Sequence, residues 1–467
     1  MRERQEIQEV PRSRLTANDT GILLPAITRD PHPGALRWVL HFIYDLAWGL
    51  TAIVGVPFLL WKHRRRQGFG AVLLERLGRG FSRYPARGER RRVLVHGVSV
   101  GEVKGALPIV RELEAARPDL EVVVSTSTET GTAIARQLFP NHLVVHFPVD
   151  ITRVVKRFMR AVDPASVVLV ELEIWPNFLR VSNRLGIPVA VVNGRITEQS
   201  FRSYRWSKGF LPQFNRISLF CAQGREYSER FLELHVEPER VIETGNVKAD
   251  GLRIGRTAAP PELERLLHPD PEQPVLVAGS THEDEELQVA RAARAALSGW
   301  HVVLVPRHPK RVRDLMAALA AEGFAAQRLT ELRAGLAPDP DALAVVDTIG
   351  ELDAVFALAD LAFVGGSLVP RGGQNMLEPA AQGVPVVVGP NLQNFTQEAR
   401  ILREAGALEV LDEPGQLRSA LARLAADPER REAMGRAGME ATAAQQGAAR
   451  KTIAALEAVC LPPPAEA

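Results

Sequence analysis

The sequence predicts an α/β protein built of two Rossmann-like domains, and three observations carry that prediction. Near-continuous Val/Ile/Leu runs alternate with helical patterns along most of the chain, as expected for parallel sheets covered on both faces. The alternation breaks at a Pro-rich link, residues 256–274, and then restarts. The 467 residues suffice for two or three domains at roughly 150 residues each. Composition is that of an ordinary globular protein, 46% hydrophobic and 24% charged, and a net charge of +2 gives no polyelectrolyte argument for a nucleic-acid partner. The two cysteines, Cys221 and Cys460, are too few for a disulfide framework or a Cys-based metal site and suit a reducing compartment.

Residues 1–35 are polar, contain Pro and lack periodicity, so they are expected to be a disordered extension. Residues 36–61, LRWVLHFIYDLAWGLTAIVGVPFLLW, have about the length needed to cross a bilayer, roughly 20 residues. Arg37, His41 and Asp45 interrupt the first half, leaving sixteen residues, Leu46 to Trp61, without an ionisable group. Trp48, Trp61 and the following KHRRR favour a single membrane anchor with the body of the protein on the cytoplasmic side. A buried amphipathic helix is the alternative. From Lys62 to Arg92 eleven Lys or Arg face only Glu75 and Glu89, a collar able to attract anionic headgroups.

The first domain, 62–255, reads as strand and helix in turn: RVLVHGVS, then GEVKGALPIVRELEAARP, then LEVVVSTSTET and GTAIARQLF. HLVVHFPVD, SVVLVELEIWPN, IPVAVVNGRI, LFCAQ and RVIETGNVKAD supply further strands. The second domain, 256–467, repeats the scheme with QPVLVAGST, HVVLVPRHP, LAVVDTIGEL, LADLAFVGGS, GVPVVVGP and ALEVL. Ligands of such folds bind beyond the carboxyl ends of the strands, and with two domains the site is expected in the cleft.

The polar residues at those ends suggest chemistry. In VGGSLVPRGGQNMLEP two glycine pairs, 365–366 and 372–373, precede a helix expected from Asn375 or Met376, a pattern that suits a phosphate-bearing ligand. Glu378 in that helix suits sugar hydroxyls. Arg307, with Lys310 and Arg311 nearby, can neutralise a phosphate. The acids of THEDEE are expected mostly to cap a helix. In the first domain Glu171 and Glu173 fall on one face of the expected strand VVLVELEIW, costly to bury unless partnered. Glu102, Asn193, Arg195, Asn246 and Lys248 follow other strands. A carboxylate base on one wall and a phosphate cradle on the other suit displacement of a nucleotide by a hydroxyl. Walker A, GxGxxG and nucleophile-elbow patterns are absent, which leaves dehydrogenase and serine-hydrolase chemistry unsupported.

HGVSVGE, STSTETG, FPVD, ELEIWPN, NGRI, GNVKAD, GSTHEDEE, VPRHPKR, DTIGEL and GGSLVPRGGQNMLEP occur in the order in which they occur in the Kdo (3-deoxy-D-manno-octulosonic acid) transferases, and the chain resembles that family from about residue 36 to about 450. The resemblance implies a GT-B glycosyltransferase with CMP-Kdo as donor, the lipid A precursor as acceptor, no metal or other cofactor, and work at the cytoplasmic face of the inner membrane. It implies that Glu102 is the general base, that Glu171 (or Glu173) and Lys248 stabilise the transition state, and that Pro306, Arg307, Ile349, Gly350, Glu351, Asn375, Met376, Leu377 and Glu378 contact the donor. Met376, in NMLE where the family often has NPLE or NVLE, is expected to contribute backbone N–H groups. Two rival readings are a UDP-sugar enzyme of the same fold, which would lack the SVGE and ELEIW combination, and a membrane-anchored nucleotide sensor, which would not need a base.

Overall fold

The computed structural model describes residues 39, 41–51, 55, 69–207 and 213–464. The extension 1–35 lies outside the described residues, as do 36–38, 40, 52–54 and 56–68, which take in part of the expected anchor and all of KHRRR. Among the described residues no helix is long and apolar enough to cross a membrane. Residues 41–51 form a helix with two unlike faces. Val39, Phe42, Ile43, Leu46 and Leu50 are exposed, whereas His41 is only 3% exposed. Two of the polar residues that interrupt the apolar run, His41 and Asp45, are thus ones that meet the protein.

The chain forms two compact units, 1–251 with 446–467, and 252–445. In the first, strands β1 (Arg91–His96), β2 (Leu120–Thr126), β3 (Leu143–His146), β4 (Pro164–Val170), β5 (Val189–Gly194), β6 (Leu219–Ala222) and β7 (Val241–Glu243) make one parallel sheet ordered β3-β2-β1-β4-β5-β6-β7. Successive residues of each strand enter opposite cores. Leu94, Val123, Val167, Leu169 and Val191 join an aromatic layer with Phe147, Phe158, Phe178 and Phe231. Val93, Val95, Val122, Val124, Val168 and Val192 pack instead against Ile109, Leu113, Ile453 and Leu456. This explains why the strands read as unbroken apolar runs.

In the second unit β8 (Val275–Thr281), β9 (His301–Pro306), β10 (Ala326–Arg328), β11 (Leu343–Val345), β12 (Leu361–Val364), β13 (Val386–Val388) and β14 (Leu408–Val410) form a parallel sheet ordered β10-β11-β9-β8-β12-β13-β14. β10, Ala-Gln-Arg, is an edge strand with no apolar run to announce it.

Three expectations are revised. β4 stops at Val170, and Glu171 has φ 62°, so VELEIW leaves the sheet as a loop before the helix Pro176–Arg184. Two cations of the collar turn inward: Arg76 donates to the carbonyls of Phe147 and Ser127, and Arg92, 1% exposed, pairs with Glu121 at 3.0 Å. Chain order puts residues 446–467 with the second half, yet the helix Ala448–Val459 covers the sheet of the first unit. Asp250 draws it there, its two carboxylate oxygens accepting from the amides of Gly447 and Ala449 at 2.5 Å each. That caps the helix and complements its dipole. Removing the cap with Asp250→Ala should cost about 1–2 kcal/mol, read as a lower urea midpoint with unchanged slope.

Candidate functional site

In both units the expected residues lie where strands end. In the first, β1 and β4 are neighbours at which the strand order reverses, the place where open α/β sheets bind ligands. Glu102 follows β1 and Glu171 follows β4. Ser99 caps the helix Val100–Ala116, and Glu102 sits in its first turn. The carboxylate of Glu102 accepts from the Val98 amide at 2.6 Å and from the Ser99 hydroxyl at 2.8 Å. Burial nevertheless raises its pKa above the ordinary carboxylate range, against these hydrogen bonds. Gly97 is glycine because a Cβ there would stand 3.1 Å from the carbonyl carbon of Glu102, so the space beside it belongs to the helix start.

Glu171 and Lys248 are joined at 2.9 Å. The Asn246 side chain accepts from the Lys248 amide at 3.0 Å, which fixes the turn that presents the ammonium. Glu173 is held by the indole N–H of Trp175 at 3.0 Å. Burial, and then the charge of Glu102, raises its pKa to about 7. Glu173 therefore keeps its proton to higher pH than an ordinary carboxyl. Glu171, Glu173, Arg195, Thr197, Ser200 and Tyr204 line a cleft of about 280 Å³. Asn193 turns inward instead. It is fully buried with φ 52°, and its side chain accepts from the Val247 amide at 3.2 Å.

In the second unit β8 and β12 are neighbours and end side by side. Gly365 approaches so closely that a Cβ would meet the Thr281 Cα at 2.5 Å. The anion held by the first glycine pair is the protein's own. Glu285, fully buried, accepts from the amides of Gly366, Ser367 and Leu368 at 2.6, 2.9 and 2.8 Å, and from His282 at 2.8 Å. Glu286, 1% exposed, pairs with Arg311 at 3.2 Å. These two acids of THEDEE therefore brace loops rather than merely cap a helix.

Pro306 ends β9, and Arg307 beyond it is exposed, its amide donating to Thr281. Ile349 is 87% exposed, Gly350 has φ 95°, and Glu351 pairs with Arg333 at 2.6 Å. The expected short helix starts at Leu377. Asn375 spans its first turn, donating to Glu378 at 3.0 Å and accepting from the Leu377 amide at 3.2 Å. The Met376 side chain is fully buried in the core. Sequence reading gives no role to His308 at the end of VLVPRH, or to His282, whose ring it meets edge-on at 5.7 Å, or to Gln374, 3.3 Å from His282; all three stand in motifs already quoted. A hollow of about 370 Å³ lies at the other end of this sheet, beside Pro274 and Asp360, away from every expected residue. Among the described residues no cluster of His, Cys, Asp and Glu could hold a metal ion.

The family model described as 3-deoxy-D-manno-octulosonic-acid transferase (kdotransferase) matches residues 73–251. The 3-deoxy-D-manno-octulosonic acid transferase of Bordetella pertussis is 34% identical over 89% of this chain and 98% of its own. The chain belongs to the Kdo transferases. The enzyme of the same name from Haemophilus influenzae is 32% identical over 77% of this chain and 85% of its own. In fold, the chain matches a UDP-N-acetylglucosamine 2-epimerase of Listeria monocytogenes at a TM-score of 0.55, covering 79% of this chain and 96% of that one at 17% identity. As a Kdo transferase the chain is a glycosyltransferase.

Two outcomes test this geometry. Glu285→Ala leaves three buried loop amides without their acceptor, at roughly 1–3 kcal/mol each, so denaturant unfolding should show a loss of at least about 3 kcal/mol. Because the Glu173 pKa rises from 4.5 to about 7, the folded chain binds that proton more tightly than the unfolded chain, and ionisation weakens the fold as pH rises through that window. The melting temperature of Glu173→Gln relative to the wild type should therefore climb from about pH 4.5 to about pH 7 and then level off; a pH-independent difference would contradict the assignment.

Proposed function

We propose that this Kdo transferase moves Kdo from CMP-Kdo to the lipid A precursor, with inversion, and that Glu102 is the general base. The observation that carries the reading is the pairing of a basic, half-buried carboxylate at the end of β1 with the Glu171–Lys248 ion pair nearby. Glu102 takes the proton of the acceptor hydroxyl. The oxygen so freed attacks the anomeric carbon, forming the new C–O bond, while the bond from that carbon to the CMP phosphate oxygen breaks and CMP leaves with the electron pair. The raised basicity of Glu102 suits this step. Lys248, held in place by Glu171, balances negative charge as the phosphate departs, which matters the more because Kdo itself carries a carboxylate.

Donor binding is assigned to the second unit, through Pro306 and Arg307, through Ile349, Gly350 and Glu351, and through Asn375, Met376, Leu377 and Glu378. The amides of residues 366–368 are already satisfied by Glu285, so the phosphate of CMP is assigned to Arg307 and to the backbone N–H of Met376, and Glu378 to sugar hydroxyls. The positive charge comes from the chain, and the reaction is proposed to need no metal. The exposed apolar face of helix 41–51 and the KHRRR that follows in sequence support attachment to the inner membrane from its cytoplasmic side.

The test is incubation of the protein in detergent with CMP-Kdo and tetraacyl lipid A precursor, read by mass spectrometry. Kdo mass increments should appear with the wild type. Glu102→Gln should lower the rate by at least roughly a hundredfold, as expected for loss of a general base, with CMP affinity unchanged. Lost CMP affinity in that variant would remove Glu102 from its role.

A further inference from the structure

Helix 41–51 does not merely lie on the first unit. The Tyr44 hydroxyl donates to Asp150 at 3.0 Å. Asp45 accepts from the Thr152 amide at 3.1 Å, the Thr152 hydroxyl at 2.6 Å and the Asn177 side-chain amide at 2.8 Å, with Arg180 at 3.6 Å. His41 stands 3.3 Å from Arg216.

These contacts continue inward. Asp150, 1% exposed, caps the helix Pro176–Arg184 by accepting from the amides of Asn177 and Phe178 at 3.0 and 2.7 Å. The Asn177 side chain also donates to the Asp150 carbonyl at 2.7 Å. Trp175, at the N-cap of that helix, donates to Glu173 in the cleft. A continuous run of polar contacts and one helix start thus link the N-terminal helix to a carboxyl of the candidate site.

Apolar packing could hold the helix to the unit, yet it tolerates sliding and rotation. A half-buried carboxylate that accepts from three fixed donors does not, and fixing register is the best-attested use of polar contacts set within apolar packing. The FPVD and WPN segments, which the chemistry leaves without a task, provide the sockets.

We propose that Asp45 and Tyr44 are positioning residues for the acceptor. They lock the lipid-facing helix in one register against Asp150, Thr152 and Asn177, so that the sugar of a bilayer-held acceptor meets the Glu171–Glu173 cleft at a fixed depth. This rests on the proposed lipid acceptor.

The test uses the full chain in mixed micelles, with the acceptor KM expressed as a mole fraction of the micelle surface, and amide hydrogen exchange measured alongside. Asp45→Ala should raise the acceptor KM about tenfold or more and leave kcat and the CMP-Kdo KM within roughly threefold. The Thr152 amide should exchange at least about tenfold faster in that variant. Asp45→Asn keeps an acceptor oxygen for Thr152 and Asn177 and should stay within about threefold of the wild type on every count. An unchanged acceptor KM with unchanged exchange would overturn the proposal, as would a parallel loss in kcat and both KM values together with a lower melting temperature. If the wild type transfers no Kdo, the functional reading fails. Exchange then decides the clamp alone: protection at Thr152 that Asp45→Ala abolishes supports it, and an unprotected wild-type Thr152 overturns it.

Discussion

The candidate site of the first unit depends on one topological constraint, the adjacency of β1 and β4. Parallel strands need crossovers, and crossovers of one hand carry the chain outward from its first strand in one direction and then the other. The order β3-β2-β1-β4-β5-β6-β7 leaves the carboxyl ends of β1 and β4 side by side where those two directions part. Glu102 and Glu171 are the residues that the chain places just past those ends. Burial raises the pKa of Glu102, and Lys248 pairs with Glu171, but the meeting of the two acids is a property of the sheet.

The second unit answers the same constraint differently. Its β8 and β12 also end side by side, and there the amides that turn outward are met by the internal carboxylate of Glu285. An isolated buried carboxylate is costly, and unsatisfied amides are costly; joined, each cancels the other's penalty. The glycine-rich loop is thereby given one rigid shape before any ligand arrives. The nucleotide contacts proposed above sit further along, around the turn of Asn375 to Glu378.

The sheets were legible because fully buried parallel strands leave apolar runs that need no partner to be read. β10 was not, since Ala326–Arg328 lies at an edge and its residues are only partly buried. The candidate acids were legible by position, just past strands. Their surroundings were not: the end of β4 hangs on the left-handed backbone of Glu171, which no pattern of apolar residues reports. Glu285 was misjudged for a related reason. A helix-start acid looks the same in sequence whether it caps its own helix or reaches a loop some eighty residues away. Asp45 read as a flaw in an apolar segment because periodicity records what a helix contains, not what its polar face touches.

The helix Ala448–Val459 gives the first unit a discontinuous chain. During synthesis, β6, with Leu219 and Cys221, and the outer side of the helix Val100–Ala116 have to wait for their partner until the whole of 252–445 has been made and the helix Ala448–Val459 emerges. The second unit, by contrast, is continuous in sequence and has every residue it needs before that helix exists. The nascent protein would thus complete its later half first, and the carboxylate of Asp250 stands ready to receive the final helix when it leaves the ribosome.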